Sequence, residues 1–210
     1  MKFSKTNISI LIVILFHIVG LTGFLIPFLQ PYFLRIVPGH LLLMLFLVLL
    51  NHHGRFFKLI SFILLISSLG FASEWIGVHK QWIFGHYAYD TTLGLKLSEI
   101  PLMIGVNWLL LIYSASVLTQ KLPIKTVWLK IILGAGLLVS LDLLIEPVAI
   151  RFHYWHWFGN TIPIKNYVCW FLLSIIFLAI FRIFSFRTQN RTAAILLIAQ
   201  FVFFAVLNLA

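Results

Sequence analysis

The stretch EWIGVHKQWIFGHYAYDTTLGLKLSEIPLMIGVNW, Glu74 to Trp108, decides how the chain is read. It leaves a long apolar run with a carboxylate, Glu74, still inside it. It then crosses a loop dense in aromatics and enters a second apolar run past another carboxylate, Glu99. The whole chain has five acidic residues, and three of them (Glu74, Asp90 and Glu99) lie here. The other two, Asp142 and Glu146, stand one helical turn apart in a later apolar run. Acids this scarce, set into apolar segments, are the groups the rest of the chain is expected to serve.

Of the 210 residues, 62% are hydrophobic and 10% charged, with a mean hydropathy of +1.08. Soluble domains carry about 25% charged residues, so this composition excludes one. A membrane β-barrel would show alternating segments of about ten residues, and the sequence has none. An all-α integral membrane protein is expected, a compact bundle of about seven spans at roughly 8–29, 36–51, 57–78, 99–119, 127–150, 164–184 and 192–209. These lengths suit the about 20 residues that cross hydrocarbon. Pro38, Gly39 and His40 interrupt the start of the second span. The connections are short, so residues 1–210 are expected to form one transmembrane domain. Lys2 and Lys5 precede an apolar run too long for a signal-peptide core, with no small-x-small cleavage site, which predicts an uncleaved first span.

The net charge of +10 would suit a nucleic-acid partner, but the basic residues sit in the short connections, where they anchor topology against anionic lipid. No nucleic acid is expected, and membrane lipid is. One side carries Lys2, Lys5, Arg55, Lys58, Lys121, Lys125, Lys130, Arg182, Arg187 and Arg191; the other carries Arg35, Lys80, Lys96, Arg151 and Lys165. The positive-inside rule then places the N-terminus in the cytoplasm and the C-terminus outside the cell membrane. Cys169, the single cysteine, lies in an apolar run and reads as a packed small hydrophobe.

An ionisable group within a span costs about 2.5–3.5 kcal/mol on insertion scales, so each needs a reason. Asp142 precedes Arg151 by roughly 13 Å of helix at about 1.5 Å per residue, near the midplane. Glu146 shares its face, and Pro147 leaves the carbonyl of Leu143 without its usual partner. Two close carboxylates repel when both are ionised, so one keeps its proton, as a general acid requires. The same pair could instead clamp helices through His17, Asn107 or Asn166. Glu74 could pair with Lys80 or His79. Glu99, before Pro101, suits a helix start where free amides stabilise a carboxylate, and Asp90 suits a turn. The loop aromatics, among them Trp82, Phe84, Tyr87, Tyr89, Tyr154, Trp155 and Trp157, fit an interfacial belt. They also suit stacking on a conjugated ligand or shielding of a carbocation. The histidines lack the paired boxes of membrane di-iron oxygenases, and the last span has no lysine for a retinal Schiff base. Neither metal nor cofactor is expected.

An internal repeat joins these features. Glu74 leads through an aromatic loop to Phe84-Gly85, then Ile100-Pro101, with Trp108 seven residues past the proline. Glu146 leads likewise to Phe158-Gly159, then Ile162-Pro163, with Trp170 seven residues on. Two hairpins of the same topology predict a parallel repeat about the membrane normal, with a site at its interface.

The motifs Glu74-Trp75-Ile76-Gly77, Phe84-Gly85-His86-Tyr87-Ala88-Tyr89, Leu93-Gly94-Leu95-Lys96, Ile100-Pro101 and Trp108 resemble those of the membrane carotenoid biosynthesis proteins that act as CruF-type carotenoid 1,2-hydratases. Asp142 to Pro147, Tyr154-Trp155-His156-Trp157 and Ile162-Pro163 with Asn166 and Trp170 resemble the family's second block. The resemblance covers about residues 70–175. It implies hydration of the terminal ψ-end double bond of γ-carotene or lycopene, without cofactor, alongside other carotenoid biosynthetic enzymes. On that basis Asp142 is expected to donate the proton and Glu146 and Glu74 to orient the water. Tyr87, Tyr89 and Trp155 are expected to border the cation. Trp82, Phe84, Glu99, Asn107, Trp108, Tyr154, Trp157 and Asn166 complete the expected substrate-binding set. A carotenoid cyclase begins with the same protonation, and a proton-coupled transporter or a non-catalytic carotenoid-binding subunit would also place acids in a bundle.

Overall fold

Hydrocarbon offers backbone amides and carbonyls no water, so a spanning segment must bond within itself, and long apolar runs do so as helices. The computed structural model describes residues 4–159, 161–186 and 189–210; Lys2 and Arg187, used above for orientation, lie outside them. Among the described residues seven helices follow one another: α1 (Lys5–Leu25), α2 (Gln30–Leu50), α3 (Phe56–Lys80), α4 (Leu102–Gln120), α5 (Val127–Arg151), α6 (Ile164–Phe184) and α7 (Arg191–Leu209). All seven are long and apolar enough to cross a membrane. The chain is an all-α, multi-pass membrane protein. Its hub is α4, whose apolar window is 72% buried against 17% for α2. The helices α2, α3, α5, α6 and α7 all pack on α4.

Three boundaries differ from the sequence expectation. α1 ends at Leu25 because the chain turns at 26–29 and Pro31 starts α2 in its first turn, where a missing N–H is harmless. α2 therefore begins at Gln30, and it runs straight through Pro38 and Gly39. In lipid the helix remains the best bonding available even across a proline. α4 begins at Leu102, not 99, because Lys96–Leu97 and Ile100–Pro101 pair as a minimal antiparallel hairpin (β2 and β3). Ser98 and Glu99 form its tip with φ of 46° and 67°. α5 likewise continues through Pro147 to Arg151, and the Asn208 side-chain amide donates to the Leu144 carbonyl at 2.7 Å.

The two aromatic loops meet at one end of the bundle. Tyr87–Tyr89 (β1) and Trp155–Trp157 (β4) pair antiparallel, with Tyr87 opposite Trp157 and Tyr89 opposite Trp155. Successive side chains on a strand face opposite ways, so these four rings share one face of the ribbon, turned down into the helices. Below them the indoles of Trp108 and Trp170 stack with centroids 4.2 Å apart and planes 20° apart. The hairpins α3–α4 and α5–α6 are joined above by the ribbon and below by the stacked indoles.

α3 and α4 approach closely where side chains are missing. A Cβ on Gly70 would lie 2.7 Å from Cβ of Trp108, and one on Gly105 would lie 2.9 Å from the Ser67 carbonyl oxygen. The root of a tryptophan cannot swing aside. Gly70→Ala should cost about 1–3 kcal/mol through overpacking. Gly136→Ala in α5 meets nothing within 4 Å and should gain about 0.5–1 kcal/mol from helix propensity. Thermal midpoints of the two purified variants should move in opposite directions; equal shifts would discount the close approach.

Candidate active site

Glu74 lies six residues before the end of α3, and Glu146 and Asp142 five and nine before the end of α5, so all three acids sit about 8–14 Å below their helix ends at about 1.5 Å per residue. All three are buried: Glu74 is 4% exposed, Asp142 1% and Glu146 2%. Glu74 does not pair with Lys80 or His79. Its Oε2 accepts from the Tyr87 hydroxyl at 2.6 Å and the Tyr89 hydroxyl at 2.7 Å, and its Oε1 accepts from the Trp108 indole N–H at 3.0 Å. The acid faces inward, and those basic side chains stand at the helix end. A Cβ on Gly77, one turn beyond Glu74, would fall 2.6 Å from the Tyr87 hydroxyl. The glycine is what lets that ring reach the carboxylate.

Glu146 repeats this pattern with indoles in place of phenols. Its Oε2 accepts from Trp155 at 3.0 Å and Trp157 at 2.9 Å, and its Oε1 accepts from the Asn166 amide at 3.1 Å. The same Asn166 nitrogen donates to Asp142 Oδ2 at 3.1 Å. Asp142 Oδ1 is buried without any partner. An indole nitrogen can only donate, so Glu146, facing three donors, is held as an acceptor. Glu74 likewise faces three donors, two hydroxyls and an indole N–H, and is held as an acceptor. Of six carboxyl oxygens, five are engaged by donors, leaving Asp142 Oδ1. In the loop above, burial first, and then the negative charge of Glu74, push the Tyr87 and Tyr89 hydroxyls well above their ordinary pKa, so both remain donors.

These groups enclose a cavity of about 30 Å³. A water needs about 10–15 Å³ measured this way, so the cavity takes one or two. Phe84, Tyr87, Tyr89, Asn107, Trp108, Trp155, Trp157 and Asn166 from the expected set line it, together with the three acids. Trp170 and Ile104 line it too and were not among the expected site residues; the seven-residue spacing from Pro163 was the signal for Trp170. Tyr154 lines a second, larger chamber of about 370 Å³ instead. Trp82 is 73% exposed at the loop surface. Glu99 stands apart, its side chain 76% exposed and 3.7 Å from His79, because it caps the hairpin and not the helix. His17, weighed as a clamp partner, bonds its own helix at the Val13 carbonyl.

The larger chamber lies among α1, α2, α4, α5 and α7 and has almost wholly apolar walls. Ile104, Asn107 and Trp155 border both spaces. A greasy chamber thus adjoins a water-sized polar one across a thin partition. Among the described residues, no group of three or more His, Cys, Asp or Glu is placed to hold a metal ion.

Residues 31–210 match the family described as carotenoid biosynthesis protein, a span that begins in α2 and contains every residue of the acid cluster. The chain belongs to that family. No curated protein and no solved structure matches it. The family's carotenoid context suggests a carotenoid substrate, and the chamber beside the acids is apolar. The match leaves α1 outside, although α1 supplies one wall of that chamber.

Proposed function

We propose that this protein is a carotenoid 1,2-hydratase that adds water across the terminal ψ-end double bond of γ-carotene or lycopene without a cofactor. The observation that carries the proposal is the unpaired Asp142 Oδ1, the one free carboxyl oxygen beside a cavity sized for water. Asp142 transfers its proton to C2 of the terminal alkene, leaving a tertiary cation at C1. Water bonds to C1 and returns a proton to the Asp142 carboxylate, so the net change is addition of one water and the acid is restored. Glu74 and Glu146 supply fixed negative charge to the cation. Each Oε1 takes a single donor and keeps a lone pair with which to orient the water. The faces of Tyr87, Tyr89 and Trp155 border the cation.

The charge bias supports a cytoplasmic N-terminus in the cell membrane, and a substrate and product confined to lipid make other carotenoid enzymes natural neighbours. Expression in a strain that makes lycopene or γ-carotene, followed by mass analysis of the pigments, tests the proposal. A gain of one water per reacted end is expected. Altered pigment of unchanged mass would replace hydration with cyclisation, and unaltered pigment from both strains would sink it.

A further inference from the structure

The larger chamber carries a polar feature that the acid chemistry does not use. Gln200, in the middle of α7, lines it and is 8% exposed, and its Oε1 has no hydrogen-bond partner. His17 of α1 lines the same space and is 7% exposed. Its ring meets Phe203, one turn beyond Gln200, edge to face at 5.9 Å, which brings the two polar residues to the same α1–α7 seam. His17 Nδ1 lies 2.7 Å from the Val13 carbonyl. A carbonyl only accepts, so Nδ1 carries the hydrogen and Nε2 of the neutral ring is left as a bare acceptor. An amide and an imidazole with unmet bonding capacity in an apolar chamber are costly unless a ligand satisfies them. A hydrocarbon end cannot. A hydroxyl can meet part of that capacity: its one hydrogen goes to a bare acceptor such as His17 Nε2, and its oxygen accepts from the Gln200 side-chain N–H₂.

We infer that this chamber is an alcohol-binding site, in which Gln200 and His17 hold the hydroxyl of a terpenoid tertiary alcohol while the apolar walls take its chain. Phe16, Val19 and Ile36 line the chamber yet are exposed on the outside of the bundle, so it opens toward lipid between α1 and α2. The source of the alcohol rests on the hydratase proposal: it is the hydrated end, drawn away from Asp142 across the Asn107–Trp155 partition toward the membrane. Gln200 lies within the family match and His17 outside it.

The test needs no turnover. Dihydromyrcene and dihydromyrcenol are a terpene alkene and the tertiary alcohol formed by hydrating it, and their binding to the purified full-length protein is measured by calorimetry. The alcohol should bind about fivefold to tenfold more tightly, as one net hydrogen bond allows. In Gln200→Met, and independently in His17→Phe, the preference should fall to about twofold or less while the alkene binds as before. Equal binding of the two probes by the wild type would overturn the inference, as would a preference that survives both replacements. A protein that prefers the alcohol but adds no water in the carotenoid strains would defeat the hydratase proposal alone.

Discussion

Asp142→Asn should abolish hydration, with product formation falling by about 10²–10⁴-fold, the usual contribution of a positioned general acid. The replacement keeps the shape of the side chain and removes the transferable proton. It should also fold, because the new amide oxygen can accept from Asn166 as Asp142 Oδ2 does at 3.1 Å. The other oxygen position has no partner to lose. Membrane levels and thermal midpoint should therefore stay near wild type while pigments in a lycopene or γ-carotene strain remain unhydrated. Glu146→Gln provides the contrast. It sets an amide N–H₂ against a tryptophan or asparagine donor, so it should lose folded protein along with activity. If Asp142→Asn hydrates at the wild-type rate, the proton comes from elsewhere and the unpaired oxygen has another explanation.

The distinction between these neighbouring acids was only half visible in the sequence. Their i, i+4 spacing on an apolar run put Asp142 and Glu146 on one face, and both do face the same cavity. Spacing along one helix says nothing about which donors arrive from elsewhere, and those donors separate the two roles. Trp155 and Trp157 reach Glu146 because β4 pairs with β1, a contact between residues almost seventy positions apart. A signal for it was present: YAY and WHW each place large rings two residues apart, the period of a strand with one face buried. In loops only three strand residues long, that pattern is too short to separate from a random aromatic belt. The helices were legible because hydrocarbon allows few alternatives for an apolar run. Glu99 was misplaced because the hairpin at Lys96–Pro101 postpones α4. The chamber holding Gln200 and His17 was not legible at all, since it exists only where α1, α2, α4 and α7 fail to fill the space between them.

Glu74→Gln should lower stability as well as activity. The wild-type carboxylate receives three hydrogen bonds, from Tyr87, Tyr89 and Trp108, that tie the loop ribbon and α4 to α3. Bonds to a charged group contribute about 1.5–3 kcal/mol each, and a buried donor left without a partner costs about 1–3 kcal/mol. Glutamine offers one acceptor oxygen and turns an N–H₂ toward whatever faced the other. With the amide oxygen toward Trp108, the N–H₂ faces the two tyrosine hydroxyls, which must turn from donors into acceptors and trade bonds to a carboxylate for bonds to a neutral amide. A fall of about 1–3 kcal/mol follows from replacing charge-assisted bonds by neutral ones. Activity should fall with it, because the tyrosine rings that border the cavity lose their anchor. Loss of stability alone would not identify the cause, so Tyr87→Phe is combined with it. That change removes one of the hydroxyls that must reverse its hydrogen bond in the glutamine variant. The double variant should be more stable than the sum of the single losses predicts, with a coupling of about 0.5–3 kcal/mol read from thermal or denaturant midpoints. Strict additivity would mean that the tyrosine hydroxyl and the Glu74 carboxylate do not depend on each other. The ribbon would then be held by its own packing, and the carboxylate would lose its place as the joint between loop and helices.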